Sequence, residues 1–234
     1  MTRPLNLAHR GASGDAPENT LASIRLAEKL GADGIEIDVH LSRDGQVVLM
    51  HDDTLERTTS GTGRVDQWDL RELQKLDAGS WFSLAYAREP IPTLQQVLTW
   101  ASDHFFINVE IKADTDLAQL AVAVVDLMEH TRCYCVITSF DSRALQEVQK
   151  LTAQIPLGLI FEHDRENALA AEWPILSVYY PLVDAEYLAR CRKKNKTVFV
   201  WTVDEIWEME KLCHLGVAAI MTNYPDRLAS LRFD

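Results

Sequence analysis

Residues 34–40 read Gly-Ile-Glu-Ile-Asp-Val-His, an apolar β-strand pattern that carries two carboxylates. Successive residues of a strand point to opposite faces, so Glu36 and Asp38 project from the same face. Buried carboxylates of like charge repel each other, and such a pair therefore indicates a cation between them. This stretch predicts a buried strand with one acidic face.

A second stretch of this kind, residues 105–112, reads Phe-Phe-Ile-Asn-Val-Glu-Ile-Lys. Its alternation places Glu110 and Lys112 on one face and Phe105, Ile107, Val109 and Ile111 on the other. Together with Glu36 and Asp38, Glu110 completes a set of three carboxylates. Oxygen ligands suit Mg²⁺ or Ca²⁺, whereas zinc more often binds His or Cys. We therefore expect these residues to hold one divalent metal ion, Mg²⁺ or Ca²⁺.

Apolar β-rich runs alternate with amphipathic helical patterns along the whole chain, which is typical of βα units around a parallel sheet. The number of predicted strands suits a closed, distorted TIM (β/α)₈ barrel. The eight predicted strands are Leu5–His9, Gly34–His40, Phe105–Lys112, Tyr134–Phe140, Pro156–Phe161, Ile175–Tyr179, Thr197–Thr202 and Ala218–Thr222.

A ninth predicted strand, Val47–His51, follows the second after residues 42–45 alone. This connection is too short for a parallel crossover, so the strand must return as an antiparallel hairpin. A two-residue turn would place His51 opposite Asp38, and a four-residue loop would place it opposite Glu36. Either register brings His51 beside the carboxylates.

Length, composition and charge favour one soluble domain over residues 1–234. The 234 residues, 47% of them hydrophobic, suffice for one core. A net charge of −12 repels nucleic acid and anionic membranes, so we expect neither nucleic-acid binding nor stable membrane association. Residues 1–4 lead directly into the first strand without room for a signal peptide, so a cytoplasmic location is expected.

Residues 52–90 lack a βα pattern and are far longer than an ordinary connection. We expect this segment to be an insertion beside the barrel mouth. It would shape one side of the pocket and provide contacts in a homo-oligomer, or its aromatic residues would instead pack a small core of their own.

The residues suited to chemistry fall where predicted barrel strands end, which is where TIM-barrel active sites lie. Arg10 and Lys112 supply fixed positive charge for a phosphate group. His9 and His51 are suited to acid and base roles, because imidazole titrates near neutral pH. A structural ion-pair network is the alternative interpretation, but the convergence of all these groups favours a metal-dependent phosphodiesterase site.

Other candidate residues carry weaker signals. Trp201 would form a wall for a small apolar or polyol group, or would only fill the barrel. Gly61 and Gly63 lack the context of a nucleotide-binding loop. The four cysteines show no zinc spacing and are expected to be reduced thiols. The remaining histidines are interpreted as hydrogen-bonded core residues: His40, His104, His130, His163 and His214.

The chain resembles the glycerophosphodiester phosphodiesterase family in six motifs that occur in order. The resemblance covers essentially the whole chain, and the ordered set is far more specific than any one motif. The motifs are His9-Arg10-Gly11, Pro17-Glu18-Asn19-Thr20, Glu36-Ile37-Asp38-Val39, His51-Asp52, Glu110-Ile111-Lys112 and Trp201-Thr202-Val203.

This resemblance implies a distorted (β/α)₈ barrel that hydrolyses deacylated phospholipids, such as glycerophosphocholine or glycerophosphoethanolamine, to sn-glycerol 3-phosphate and an alcohol. It also implies a role for each matching residue. Glu36, Asp38 and Glu110 would be the metal ligands, His9 and His51 the acid/base pair, and Arg10 and Lys112 the phosphate contacts.

The chain departs from the family pattern at two positions. Asp204 stands where Asn is usual, and Asn223 stands where Asp is usual. Both follow predicted strands, so the changes would alter hydrogen bonding and charge in the pocket, and with them the substrate preference. Two rival functions are a barrel that binds a phosphodiester without turnover and a lyase that forms a cyclic phosphate.

Overall fold

The structure is a computed structural model that describes residues 3–101, 105–113, 116–130 and 133–232. The expected lead-in at residues 1–2 and the expected core residue His104 lie outside these ranges.

The strands of the described chain are β1 Leu5–His9, β2 Gly34–Leu41, β3 Val47–Leu49, β4 Phe106–Ile111, β5 Tyr134–Ser139, β6 Leu157–Phe161, β7 Ile175–Tyr179, β8 Thr197–Trp201 and β9 Ala219–Thr222. The α-helices are α1 Leu21–Lys29, α2 Leu70–Leu73, α3 Leu94–Trp100, α4 Leu117–Glu129, α5 Ser142–Leu151, α6 Arg165–Ala170, α7 Ala185–Lys193, α8 Ile206–Leu215 and α9 Pro225–Ala229.

The strands form a closed parallel barrel with one strand outside it. The order is β1-β9-β8-β7-β6-β5-β4-β2-β3, and β1 also pairs with β2, which closes the ring. All pairings around the ring are parallel, whereas β3 pairs with β2 in antiparallel orientation. The predicted fold, a distorted (β/α)₈ barrel with an antiparallel return strand, is confirmed.

Both predicted registers of the β2–β3 hairpin are wrong. Val39 pairs with Leu49, a register between the two expected ones. The cause is a loop over residues 43–45: Ser42 N–H donates to Gln46 O at 2.9 Å, and Gly45 has a φ of 79°, the left-handed conformation that such loops require. β3 ends at Leu49, so His51 lies in the following loop and the register does not determine its direction.

The barrel interior is divided into an apolar layer and a polar layer. One cluster of buried side chains comes from alternate positions of several strands. Its buried members are Leu7, Val136, Ile175, Phe199, Ala219 and Met221. Farther along the strands, polar side chains take the inward positions, so the apolar layer supports a polar site at the carboxyl ends. The opposite faces of the strands pack against the surrounding helices.

Residues 52–90 contain α2 and two short 3₁₀ turns, Val65–Gln67 and Leu84–Tyr86. Their aliphatic side chains pack with those of β3 in a satellite cluster. The buried members are Val48, Met50, Leu55, Val65, Leu73, Ala78 and Ile91. Trp81, Phe82 and Tyr86 form a separate row with edge-to-face contacts, and Tyr86 Oη donates to Asp15 O at 3.1 Å. In the described part of the chain, no helix has the length and apolar character needed to cross a bilayer.

Candidate active site

Glu36, Asp38 and Glu110 form a buried acidic cluster at the carboxyl ends of β2 and β4. Each offers a carboxylate oxygen, and these oxygens lie within 4.8 Å of one another. The register of the two strands explains the proximity, because Asp38 pairs with Glu110. The structure therefore brings together the three acids that the sequence groups.

Two cations contact this acidic cluster. Lys112 Nζ lies 2.7 Å from Glu110 Oε1 and 3.2 Å from Asp38 Oδ1. Arg10 Nε lies 3.3 Å from Asp38 Oδ2. Arg10 follows β1 and has a φ of 56°, and its backbone N–H donates to Glu36 Oε2 at 3.1 Å. Asp38 thus contacts both cations, whereas Glu36 contacts a backbone amide.

The pKa values of the three acids reflect this unequal pairing. Burial acts to raise the pKa of Asp38, but Lys112 and Arg10 lower it to about 2. Burial and the charge of Asp38 raise the pKa of Glu110 to about 7, and they raise the pKa of Glu36 well above its usual value. Lys112 and Arg10 therefore neutralise Asp38 more fully than they neutralise Glu36 and Glu110.

The donor set fits a hard divalent cation. Glu36 Oε1 is buried and has no hydrogen-bond partner, which is an unfavourable state for a carboxylate oxygen unless a cation binds it. The cluster offers oxygen donors, and three protein ligands would leave positions of an octahedral ion for water or substrate. Glu36, Asp38 and Glu110 can hold such an ion.

His9 and His51 both lie at the cavity between the strand ends, and each has a partner at Nδ1. His9 Nδ1 lies 2.8 Å from Asn223 Oδ1, and His51 Nδ1 lies 2.6 Å from Asp52 Oδ1. An oxygen acceptor at Nδ1 favours the proton there and leaves Nε2 as the free acceptor. Burial and nearby Arg10 lower the pKa of His9 to about 4, and burial also lowers the pKa of His51.

The motif at residues 17–20 contributes hydrogen bonds to two residues of the site, Arg10 and Asp38. Glu18 Oε1 accepts from Arg10 Nη1 at 2.9 Å. Asn19, with a φ of 54°, donates through Nδ2 to Asp38 Oδ2 at 2.8 Å. Thr20 caps the first turn of α1 by accepting from the backbone N–H of Ser23. The motif is visible in the sequence, but these roles appear only in the structure.

Arg57 is a residue of the site region for which the sequence carries no signal. It lies in the 52–90 segment, and its Nη1 donates to Glu18 Oε2 at 2.8 Å while its Nε donates to Asp52 Oδ2 at 2.6 Å. Because Asp52 contacts His51 and Glu18 contacts Arg10, this guanidinium joins the partners of two site residues.

Asp204 and Asn223, the two departures from the family pattern, contact each other. Asn223 Nδ2 donates to Asp204 Oδ2 at 2.7 Å. The same amide contacts His9 through its oxygen. Asp204, Asn223 and His9 are therefore linked by consecutive hydrogen bonds.

The cavity has a volume of about 240 Å³ and a mixed lining. Its lining includes His9, Arg10, His51 and the acidic residues Glu36 and Glu110, together with the aromatic residues Phe140 and Trp201. The Trp201 ring centroid lies 5.6 Å from that of Phe140 and 5.7 Å from that of Tyr179. Trp201 lines the cavity and also packs against the apolar layer of the barrel interior, so its position is compatible with both interpretations.

The other described histidines lie away from the cavity lining. His40 is buried, with Nε2 3.3 Å from His51 O, as expected of a core residue. The core assignment is wrong for His130, His163 and His214, which are exposed. His130 and His214 lie in or just after the last turns of α4 and α8, where Nδ1 contacts the carbonyl four residues earlier. The four cysteines form no disulfide bond in the described chain.

A parallel (β/α)₈ barrel with buried carboxylates, fixed cations and two histidines at its carboxyl ends has the architecture of a TIM-barrel enzyme. The model of the glycerophosphoryl diester phosphodiesterase family matches residues 9–227. The chain is 37% identical to a glycerophosphodiester phosphodiesterase of Caldanaerobacter subterraneus, with 98% of each sequence covered. It belongs to this family and is a phosphoric diester hydrolase.

Two solved structures show the same fold. A phosphodiesterase of Oleispira antarctica in complex with the product sn-glycerol-3-phosphate has a TM-score of 0.91 and 32% identity, over 97% of this chain and 96% of that one. A glycerophosphodiester phosphodiesterase of Agrobacterium tumefaciens has a TM-score of 0.85 and 28% identity, over 99% and 100% of the two chains.

Proposed function

We propose that this protein hydrolyses glycerophosphodiesters, the deacylated phospholipids, to sn-glycerol 3-phosphate and an alcohol in a metal-dependent reaction. The observation that carries the proposal is the cavity at the carboxyl ends of the strands, where two imidazoles face a cluster of carboxylates. Family membership supports the reaction class, and sn-glycerol-3-phosphate is the product bound by the related Oleispira protein.

Glu36, Asp38 and Glu110 would hold one divalent ion, Mg²⁺ or Ca²⁺. When bound, such an ion supplies Lewis-acid polarisation of a phosphoryl oxygen and lowers the pKa of a hydroxyl beside it. Lys112 holds Asp38 and Glu110 close together, since its ammonium contacts both, and its charge opposes the rise in the pKa of Glu110 that burial and Asp38 cause. The unpartnered Glu36 Oε1 supports its role as a ligand.

The protein's own side chains would orient the substrate and move the protons. Arg10 and Lys112 stabilise the negative charge on the phosphate oxygens. His9 and His51 would move protons through Nε2: the ring that starts neutral accepts the proton of the attacking hydroxyl, and the ring that starts as an imidazolium gives its Nε2 proton to the leaving oxygen. Trp201 lines the cavity, where it would contact the carbon atoms of the substrate.

Residues 1–234 would form one domain, with residues 52–90 as an insertion beside the mouth of the barrel. The partner is a small molecule, and neither nucleic acid nor a membrane is bound stably, because the net charge of −12 repels both. We place the enzyme in the cytoplasm.

The test is release of sn-glycerol 3-phosphate from glycerophosphocholine and glycerophosphoethanolamine, measured with chelator and after restoring Mg²⁺ or Ca²⁺ separately. Release that chelator abolishes and one metal restores is expected. No release from a folded sample under any metal would contradict the reaction, and release unaffected by chelator would contradict the metal. A cyclic phosphate as the end product would identify a lyase instead.

Two variants test the assigned residues, each with a matched control. His51→Ala and Glu36→Gln should each reduce kcat by about 100-fold or more while the circular dichroism spectrum stays unchanged. His214→Ala, at an exposed site, and Glu208→Gln, at a buried site in α8, should leave kcat within about two-fold. Near-normal turnover in either site variant would refute the assignment of that residue.

A further inference from the structure

Asp204 lies in the segment that follows β8, and its carboxylate accepts several hydrogen bonds. Its Oδ1 accepts from Thr222 Oγ1 at 3.0 Å and from the backbone N–H of Asn223 at 2.9 Å. Its Oδ2 accepts from Asn223 Nδ2 at 2.7 Å. Arg227 Nη1 donates to the backbone carbonyl of Asp204 at 2.7 Å. The carboxylate is therefore oriented from several directions.

This arrangement determines which way the amide of Asn223 faces. An ionised carboxylate only accepts hydrogen bonds, so the amide must turn its NH₂ group toward Asp204. Its oxygen then faces the barrel, 2.8 Å from His9 Nδ1 and 2.7 Å from Ser13 Oγ. An amide oxygen cannot donate, so the neutral His9 ring must carry its proton on Nδ1.

The other nitrogen of His9 is consequently the one without a proton. His9 Nε2 lies 3.9 Å from Glu36 Oε2, on the side of the acidic cluster. His9 lines the cavity. The direction of one half-buried carboxylate, that of Asp204, thus decides through Asn223 which ring nitrogen of His9 can accept a proton at the cavity.

We propose that Asp204 and Asn223 are a positioning pair, which holds His9 as its Nδ1–H tautomer with Nε2 available in the cavity. The chain has an acid and an amide where the family pattern has an amide and an acid. In either arrangement, residue 223 offers an oxygen acceptor to His9, and the amide of the pair donates a hydrogen bond to the carboxylate of the pair. The order found here places a neutral oxygen, not a carboxylate, against His9.

The exchange is compatible atom by atom with the observed contacts. In the double variant Asp204→Asn/Asn223→Asp, the Oδ1 atom of residue 204 could still accept from Thr222 and from the backbone N–H of residue 223. The NH₂ group of residue 204 in this variant would donate to residue 223 at the position where Asp204 Oδ2 now accepts. Residue 223 would still offer an oxygen to His9. Each single variant breaks this match.

The kinetic test is a double-mutant cycle on this pair. Asp204→Asn removes the acceptor that orients the amide, and Asn223→Asp places two carboxylates in contact. Each single variant should lower kcat by about 10- to 100-fold, part of the contribution of general acid–base catalysis, with KM within about three-fold. The double variant should regain kcat to within about three-fold of the wild type.

A matched control exists in Asp164, whose Oδ2 accepts from Asn167 Nδ2 at 2.5 Å on the exposed start of α6. Asp164→Asn makes the same chemical change away from the cavity, and kcat should stay within about two-fold of the wild type. Single pair variants that retain wild-type kcat, or a double variant no more active than the singles, would overturn the proposal.

A spectroscopic test separates this inference from the proposed function, on which its catalytic consequence rests. In ¹⁵N-histidine-labelled protein, the neutral His9 ring should show protonated Nδ1 and unprotonated Nε2, and Asp204→Asn should convert part of it to the other tautomer. The signal is assigned by its loss in His9→Gln. A wild-type ring protonated at Nε2 would overturn the inference whether or not phosphodiesterase activity is found.

Discussion

Arg57 Nε donates a hydrogen bond to Asp52 Oδ2 at 2.6 Å, and the other oxygen of Asp52 lies 2.6 Å from His51 Nδ1. Arg57 also donates to both carboxylate oxygens of Glu18 at 2.8 Å. The 52–90 segment thereby contributes a residue that holds the partner of a site histidine. His51 needs this support because it lies beyond the end of β3.

Arg57→Ala should slow turnover without weakening substrate binding. Asp52 would lose the guanidinium that orients it, so the His51 ring would be held less firmly in its Nδ1–H form. We expect kcat to fall about ten-fold with KM within about two-fold, as is usual for residues that orient site groups. Steady-state kinetics on a glycerophosphodiester would measure both constants.

Arg64→Ala is the control for this change. Arg64 lies in the same segment and contacts Asp53 at 2.6 Å and Asp66 at 2.8 Å, but not Asp52. Its removal should leave kcat within about two-fold. If the two arginine variants were slowed equally, the effect would belong to the segment as a whole and not to the contact with Asp52.

The same ion-pair network predicts how stability depends on pH. The hydrogen bond from Arg57 is the main cause that lowers the pKa of Asp52, and although burial acts to raise the pKa of Glu18, Arg57 and Arg10 lower it overall. Carboxylates with a lowered folded-state pKa contribute stability above their unfolded pKa, about 4, and lose it as the pH falls. Urea denaturation should therefore find Arg57→Ala less stable than the wild type at pH 7, with the difference shrinking below about pH 4. A difference that grows toward acid would contradict this pairing.

Binding of the divalent ion should be visible as stabilisation, independent of turnover. An ion that binds the folded state alone adds about 2.7 kcal/mol to the free energy of unfolding at 100 times its Kd. Glu36→Gln should abolish most of this gain, because Glu36 Oε1 is a buried carboxylate oxygen without a hydrogen-bond partner. Thermal melts with and without Mg²⁺ or Ca²⁺ measure the shift.

Glu208→Gln is the matched control for the metal experiment, since Glu208 is also buried and its carboxylate contacts Lys211 outside the acidic cluster. It should respond to the ion as the wild type does. A wild type that gains no stability, or a Glu36→Gln variant that gains as much, would remove Glu36 from the ligand set.

The strand-borne part of the site could be predicted from sequence because two simple rules determine it. Alternation along a strand places Glu36 and Asp38 on one face, and the parallel barrel brings the carboxyl end of β4 beside that of β2. These rules do not depend on the details of packing. The grouping of Glu110 with the other two acids therefore does not require the register between β2 and β4.

The remaining contacts depend on geometry that no local pattern encodes. The hairpin register follows from the backbone of Gly45, at a φ of 79°, and a change of one residue exchanges the faces of a strand. Arg57 is 39 residues from Glu18, and Asp204 is 19 from Asn223. The sequence marks the last two as departures from a pattern, but not as partners.

Gly34 should be among the least replaceable residues of the barrel. It begins β2 between two strands, paired with Leu7 of β1 and Phe106 of β4. A Cβ atom at residue 34 would lie 2.2 Å from Phe106 O. Because that oxygen belongs to the backbone of β4, the clash can be relieved only by moving β2 and β4 apart, and these strands carry Glu36, Asp38 and Glu110.

Gly34→Ala is therefore expected to lower the free energy of unfolding by about 3 kcal/mol, at the upper end of the usual range for overpacking. Gly216→Ala is the control, because Gly216 ends α8 with a φ of 80° and a Cβ there meets nothing within 4 Å. It should lose about 1 kcal/mol from backbone strain alone. Urea denaturation of both variants measures the difference. If Gly34→Ala proved no less stable than Gly216→Ala, the close approach of β2 and β4 would not be a constraint on the barrel.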